Sequence, residues 1–133
     1  PFRLGVIGYS GTPFDERAAR LILQREITRH GMFHQEVAVV SGLTALGIPK
    51  IAYEVAAENG FLTVGVACRK AQENPCWPCD EVVIVGDEWG DESDEFLSRI
   101  DYLLKVGGGK QSIAEYARFT GPKEEFFLPP LPA

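Results

Sequence analysis

The sequence predicts an α/β protein built on a mainly parallel sheet with helices on both faces. Apolar runs of strand length alternate with helix-length amphipathic segments along the 133 residues, which is the pattern of parallel strands buried on both sides. Glycine-containing breaks follow three of these predicted strands. Right-handed crossovers then give a doubly wound, Rossmann-like sheet in which such breaks meet at the carboxyl edge, where ligands bind.

The first predicted unit is a strand at Leu4–Ile7 followed by a helix. Thr12 and Pro13 are expected to begin this helix, as its N-cap and its first helical residue. Gly31 is expected to cap its end. The apolar residues expected to form the buried stripe of this helix are Ala18, Leu21, Ile22 and Leu23.

The later elements continue the alternation of strands and helices. The predicted strands are Val37–Val40, Phe61–Ala67, Glu81–Val85 and Tyr102–Val106, and the predicted helices are Gly47–Asn59, Ser93–Arg99 and a last one from about Gln111. The length suits a single domain over residues 1–133, with residues 123–133 as a Pro-rich C-terminal tail.

The composition restricts the expected partners and setting. The formal net charge is −6 and no basic stripe occurs, so neither nucleic acid nor an anionic membrane surface is an expected partner. No apolar run is long enough to span a bilayer, and no signal peptide is expected. Three cysteines cannot all pair with one another, which favours a reduced, cytoplasmic setting.

The glycine run Gly107–Gly109 is the strongest functional signal in the chain. It stands between an apolar strand and a helix, so several backbone N–H groups and the positive end of a helix dipole converge there. This geometry binds anions, above all phosphate, whereas the alternative is a glycine turn without a ligand. The similar breaks at Gly8-Tyr9-Ser10-Gly11 and Ser41-Gly42-Leu43-Thr44 favour the phosphate site. The three-glycine dinucleotide fingerprint and the Walker lysine are both missing, which argues against NAD binding and P-loop ATPase activity.

The segment from Gly108 to Glu115 resembles the GGxGTxxE motif of the Lonely guy family, whose members were formerly labelled lysine decarboxylases. The wider superfamily includes DNA-processing protein A and the molybdenum cofactor carrier proteins, and the resemblance extends over nearly the whole chain. It implies a homo-oligomer with a nucleotide-like small-molecule ligand such as AMP. The phosphate cradle that it implies consists of Gly107, Gly108, Gly109, Lys110, Gln111 and Ser112. Within it, Ser112 matches the motif threonine that contacts the phosphate, and Glu115 matches the glutamate that acts on the N-glycosidic bond.

The chain departs from the hydrolases of this family at two places. Gln111 replaces the third motif glycine, and Glu92-Ser93-Asp94 stands where the hydrolases carry an arginine–lysine pair. An acidic segment cannot stabilise an anionic leaving group as arginine does, so the departure favours a carrier or sensor that does not turn its ligand over. The alternative is a nucleoside 5′-monophosphate phosphoribohydrolase with Glu115 as its catalytic residue. Without the resemblance, Glu115 is explained by the dipole of its helix.

Three further groups of residues have both a structural and a functional interpretation. Asp87, in an acidic stretch, is either part of a solvated loop or a ligand to ribose hydroxyls or hydrated magnesium. Cys76 and Cys79 supply two of the four ligands of a structural zinc site and precede a strand, not a helix. We therefore expect packing there and no metal or redox centre. Arg69 and Lys70 are either solvated or add positive charge at the rim of the site.

Overall fold

The computed structural model describes residues 1–132 and consists of alternating strands and helices. In chain order these are β1 (Phe2–Gly8), α1 (Glu16–Gly31), β2 (Val37–Ser41), α2 (Gly47–Glu58), β3 (Leu62–Ala67), β4 (Glu81–Ile84), α3 (Ser93–Ser98), β5 (Tyr102–Val106), α4 (Lys110–Arg118) and β6 (Lys123–Phe126). A short 3-10 helix, Arg69–Glu73, connects β3 to β4.

The six strands form one sheet in the order β4-β3-β2-β1-β5-β6, and all neighbouring pairs are parallel. The chain runs outward from β1 to β4 and then returns to place β5 on the other side of β1. Gly5 of β1 is accordingly paired with Val40 of β2 and with Leu103 of β5. The predicted α/β, doubly wound class is confirmed. The strand order reverses between β1 and β5, and ligands in such sheets bind outside the carboxyl ends of the strands at this point.

The helices cover both faces of the sheet, because successive side chains of a strand point to opposite faces. Val6 packs with α1 and α2 in one cluster, which includes the fully buried Leu23 and Ile48. Its neighbour Ile7 packs in a second cluster, with Phe96 of α3. Among residues 1–132, none of the helices combines the length and the apolar character needed to cross a membrane.

The start of the first helix differs from the prediction. The N-cap is Asp15, whose side chain accepts a hydrogen bond from the backbone N–H of Ala18, and the first helical residue is Glu16. Thr12 and Pro13 belong instead to the preceding loop. Both Thr-Pro and Asp-Glu are good helix-start signals. Pro13 and Phe14 are paired with the tail instead: the carbonyl oxygen of Pro13 accepts from the N–H of Leu131, and Phe14 bridges to Pro130. Leu21, expected in the buried stripe, is 61% exposed.

The Pro-rich tail contains a strand that the sequence analysis missed. Lys123–Phe126 pairs in parallel with β5, and Leu128 beyond it is buried. Pro130 forms an isolated antiparallel bridge with Phe14 in the loop before α1. The strand is short and its sequence is Lys-Glu-Glu-Phe, so it lacks the apolar alternation by which strands are recognised. The tail therefore extends the sheet by its sixth strand.

Candidate functional site

A cavity of about 280 Å³ opens at the carboxyl edge of the sheet. The three glycine-containing breaks predicted from the sequence contribute to its lining through residues 8–12, 41–44 and 109–112. The predicted candidates that line it are Gly8, Tyr9, Ser10, Gly11, Ser41, Gly42, Leu43, Thr44, Gly109, Lys110, Gln111, Ser112 and Glu115. The cavity therefore lies at the edge where the topology predicts a ligand.

Each of the three loops has one glycine with free space at the position that a Cβ would occupy; we call these the open glycines. A Cβ built on Gly11, Gly42 or Gly109 would meet nothing within 4 Å. None of the three has a positive φ angle. Neither packing nor a positive φ angle requires glycine at these three positions.

The start of α4 supplies hydrogen-bond donors to this cavity. Gly109 is the N-cap and offers no side chain to the helix. Within residues 1–132, no protein acceptor is paired with the backbone N–H groups of Lys110, Gln111 and Ser112. These groups carry the positive end of the helix dipole. Lys110 is also the only cationic side chain among the described residues of the cavity lining.

Gly107 and Gly108 support the loop from behind and do not line the cavity. Both have a positive φ angle, 60° and 118° respectively. A Cβ on Gly107 would lie 2.4 Å from the ring of Tyr9, and a Cβ on Gly108 would lie 2.7 Å from Cβ of Ser112. The two residues therefore give the loop its shape, and Gly109–Ser112 form the surface that faces the cavity.

The amino terminus of α2 is closed by the protein itself. The carbonyl oxygen of Tyr9 accepts a hydrogen bond of 2.7 Å from the backbone N–H of Ile48. Gly47 makes this approach possible, since it has a φ angle of 60° and a Cβ there would lie 2.3 Å from the same carbonyl oxygen. In the first turn of α2 the N–H groups of Ile48 and Lys50 are thus paired, whereas α4 begins with three consecutive N–H groups that have no protein acceptor among the described residues.

The second loop is held in place by contacts from its far side. The hydroxyl of Tyr53 lies 2.6 Å from the carbonyl oxygen of Gly42. The backbone N–H of Trp77 donates to the carbonyl oxygen of Leu43 at 2.8 Å, and Thr44 forms a β-bridge with Cys76. The segment containing Cys76 and Cys79 thus packs against the loop, in agreement with the packing role expected for it.

The chemistry of the two neighbouring cysteines agrees with a packing role. Cys76 is exposed and Cys79 is half-buried, and both are free thiols. Burial raises the pKa of the Cys79 thiol, although hydrogen bonds with Tyr53 and Thr63 oppose this effect. A raised pKa disfavours the thiolate that redox chemistry and metal binding require.

Glu115 lies in the cavity lining, where it is 5% exposed. Its Oε2 accepts hydrogen bonds from the Ser93 hydroxyl at 2.7 Å and from the Gln111 amide at 3.3 Å. Burial raises the pKa of Glu115; these hydrogen bonds lower it, and the nearby charge of Glu92 raises it further. Glu115 is therefore a carboxyl group that holds its proton more tightly than an exposed glutamate does.

Glu92 and Trp89 are lining residues that the sequence analysis did not select. Glu92 is 5% exposed, and its Oε1 accepts from the backbone N–H of Gly90 at 2.8 Å and from the amide of Gln111 at 3.4 Å. Trp89 is 49% exposed and also lines the cavity. The sequence offered one indication of Glu92: it stands where the resembling hydrolases carry an arginine–lysine pair. That comparison showed that a cation is missing, and it did not predict that Glu92 lines the cavity.

Asp87 and Arg69 lie outside the cavity lining. They pair with each other as an ion pair in which both side chains are more than 70% exposed. The neighbouring Lys70 pairs with Glu88 at 3.2 Å. The interpretation of this stretch as a solvated loop therefore describes Asp87 better than a role at the ligand does, and Arg69 brings no charge to the cavity.

A second titratable cluster lies at the opposite edge of the sheet. One oxygen of Glu26, one oxygen of Glu124 and a ring nitrogen of His30 lie within 4.8 Å of one another, beside Tyr102 at the start of β5. Nη2 of Arg29 donates to Oε1 of Glu26 at 2.7 Å and to Oε1 of Glu124 at 2.8 Å. The guanidinium of Arg29 thus balances the charge of both carboxylates.

No family model and no curated protein sequence matches this chain significantly. Solved structures do share its fold. The molybdenum cofactor carrier protein from Chlamydomonas reinhardtii is 22% identical with a TM-score of 0.73, over 93% of this chain and 75% of that one. The molybdenum cofactor binding protein from Rippkaea orientalis is 22% identical with a TM-score of 0.67, over 87% and 68%. The structural-genomics protein TM1055 is 23% identical with a TM-score of 0.69, over 92% and 77%. At these identities the likeness concerns the fold.

Proposed function

We propose that this protein binds a phosphorylated, nucleotide-like ligand in the cavity and acts as a carrier or sensor without turning it over. The observation that carries the proposal is the set of three open glycines, one on each loop, around a single cavity. Close approach of a ligand to the backbone explains glycine at all three positions. The unpaired N–H groups of Lys110, Gln111 and Ser112, together with the Lys110 ammonium, would hold the phosphate.

Two structural neighbours support a carrier role, since they are described as a carrier and a binding protein for the molybdenum cofactor. The cavity of this chain would hold a phosphorylated cargo at the start of α4, which offers free backbone N–H donors and the positive charge of Lys110.

The experiment that tests the proposal compares matched ligands with and without phosphate. AMP, GMP and their nucleosides are each added to the purified protein, and the melting temperature is measured. A ligand that binds only the folded state at a hundredfold excess over its dissociation constant stabilises the protein by about 2.7 kcal/mol. We expect the monophosphates to raise the melting temperature more than the nucleosides. Equal shifts, or none, would contradict the phosphate site. Mass spectrometry of ligands that co-purify with the native protein identifies the natural molecule.

A phosphoribohydrolase is the second candidate, and Glu115 is the observation that favours it. A buried carboxyl group with a raised pKa at the edge of a ligand cavity suits a general acid. The described cavity lining contains no arginine beside it, and Glu92 adds a negative charge instead. We favour the carrier for this reason. Release of free base from nucleoside monophosphates distinguishes the two candidates.

A further inference from the structure

Two buried carboxylates face the cavity without a cation between them. Glu92 and Glu115 are each 5% exposed. Oε1 of Glu92 and Oε2 of Glu115 both lie within 3.4 Å of the same nitrogen, Nε2 of Gln111. The amide of Gln111 therefore holds the two carboxylates side by side, although it is neutral and cannot balance their charge.

The hydrogen-bond capacity of this pair is only half used. Glu115 accepts at Oε2 from Ser93 and Gln111, and Glu92 accepts at Oε1 from Gly90 and Gln111. Within residues 1–132, no donor reaches Oε1 of Glu115 or Oε2 of Glu92. A carboxylate accepts about four hydrogen bonds, so each of the two groups keeps an oxygen that is accessible from the cavity and free to accept. The pair therefore suits a molecule that brings N–H or O–H donors into the cavity.

An aromatic ring lies in the same lining, three residues before Glu92. Trp89 is half exposed there, on a turn that is organised by one carboxylate. Oδ2 of Asp91 accepts from the backbone N–H groups of Asp87 and Glu88, both at 3.0 Å. Trp89 therefore stands on an ordered turn in the lining with about half of its surface free, and aromatic side chains of this kind stack favourably with flat rings.

We propose that the cavity selects a planar heterocycle with adjacent N–H donors, which stacks on Trp89 and donates to Glu92 and Glu115. This inference rests on the proposed function. The 2-amino-4-oxopyrimidine edge that guanine and pterins share has a ring N–H beside an amino group, so both positions donate. Adenine has an amino group beside an acceptor nitrogen, and hypoxanthine lacks the amino group. The carboxylates therefore discriminate against both of these bases.

The first experiment measures dissociation constants of the wild-type protein by calorimetry, in EDTA so that no metal bridges the ligand. The probes are GMP and neopterin monophosphate, which have the proposed edge, and IMP and AMP, which do not. We expect GMP or neopterin monophosphate to bind about tenfold or more tightly than IMP and AMP, the effect of one charge-assisted hydrogen bond. The better of the two identifies the purine or the pterin as the source of the edge.

The second experiment asks whether the carboxylates cause this preference. In the double variant Glu92→Gln/Glu115→Gln, the preference over IMP should fall below about threefold, since amides no longer offer charged acceptors. Glu88→Gln is the matched control: it removes a charge from the same loop at a side chain that is 69% exposed and pairs with Lys70, so the preference should remain. A preference that survives the double variant overturns the inference.

The outcomes separate this inference from the proposed function. If GMP, IMP and AMP bind equally, and all bind more tightly than their nucleosides, the heterocycle selection is wrong and the phosphate site stands. If none of the four phosphorylated probes binds, both are wrong. The comparison of wild-type affinities needs no variant to fold, so the lack of a preference there overturns the inference whatever the variants do.

Discussion

The hydroxyl of Ser93 donates a 2.7 Å hydrogen bond to Oε2 of Glu115. This contact joins the first residue of α3 to the helix that follows the glycine loop. In the resemblance to the Lonely guy hydrolases, Glu115 matches the motif glutamate, and Ser93 belongs to the acidic segment that stands in place of their arginine–lysine pair. Gln111, which replaces the third motif glycine, bonds to the same oxygen of Glu115. The departures thus form one connected network at the cavity.

Substitution of Gly109 tests the loop without disturbing the fold. Gly109→Val should leave the protein folded, since a Cβ there meets nothing within 4 Å and the φ angle of −93° is open to residues other than glycine. The melting temperature should fall by about 2–8 °C, because valine is a poorer N-cap than glycine. The substitution should abolish the extra stabilisation by monophosphates, because the branched side chain would cover the start of α4. Gly108→Val is the contrasting variant and should lower the melting temperature further, since its φ angle is 118°. Undiminished phosphate-dependent shifts in Gly109→Val would contradict the loop assignment.

Neutralising Glu115 should stabilise the folded protein at neutral pH. The pKa of Glu115 is raised above its ordinary value of 4.5, first by burial and then by Glu92. The folded state therefore holds this proton more tightly than the unfolded state, and ionisation removes stability as the pH rises through the raised pKa. Urea unfolding should show Glu115→Gln gaining stability relative to wild type between pH 4 and pH 7. A pH-independent difference would show that burial of the charge costs nothing.

The stability that Glu26 contributes, at the other edge of the sheet, should depend on pH in the opposite direction. Burial raises the pKa of Glu26, but hydrogen bonds and charge from Arg29 and Arg25 outweigh it, so the pKa lies below 4.5. A lowered pKa contributes stability above the unfolded value, and this stability is lost as the pH falls through the folded value. Glu26→Gln should lower the free energy of unfolding at pH 7 by about 1–2 kcal/mol, and by less at acidic pH. Equal losses at pH 7 and at pH 3 would argue against an ionised pair.

The cysteines should prove dispensable for ligand binding. Cys76→Ser and Cys79→Ser are each expected to leave nucleotide affinity within about threefold, since the segment contacts the second loop through backbone atoms of Leu43 and Trp77. Thiol titration should show Cys76 reacting first, because it is the exposed thiol. Elemental analysis should find no zinc that disappears on these substitutions. Zinc bound in stoichiometric amount by this pair would overturn the packing role.

The fold and the loops around the cavity could be predicted from the sequence, because both depend on short stretches of neighbouring residues. The glycines that follow apolar strands, and the helix start at 110–112, are each recognised from a few consecutive residues. The missed features depend on distant contacts. Strand β6 is recognised only by its pairing with β5. The importance of Glu92 depends on Gln111 and Glu115, which are about twenty residues away and are brought beside it by the crossover from β4 to β5. Asp87 was selected for its position at a strand end, but it pairs outward with Arg69.

The last prediction concerns catalysis: the wild-type protein should release no adenine from AMP, and no guanine from GMP, above background. Cleavage of an N-glycosidic bond builds positive charge on the ribose, and the departing base takes up a proton. Glu115, with its raised pKa, is able to hold that proton, but the arginine that completes the site in the resembling hydrolases has no counterpart in the described lining of the cavity.

Chromatography of reaction mixtures over many hours measures this directly, with Glu115→Gln as the matched control. Base release that is absent from Glu115→Gln would show that the carrier proposal is wrong and the hydrolase alternative right. In that case Lys110, the cationic side chain of the lining, would be the first candidate for the missing cation. Lys110→Ala should then abolish turnover, whereas Arg69→Ala should leave it intact, because the guanidinium of Arg69 is solvated and pairs with Asp87 outside the cavity.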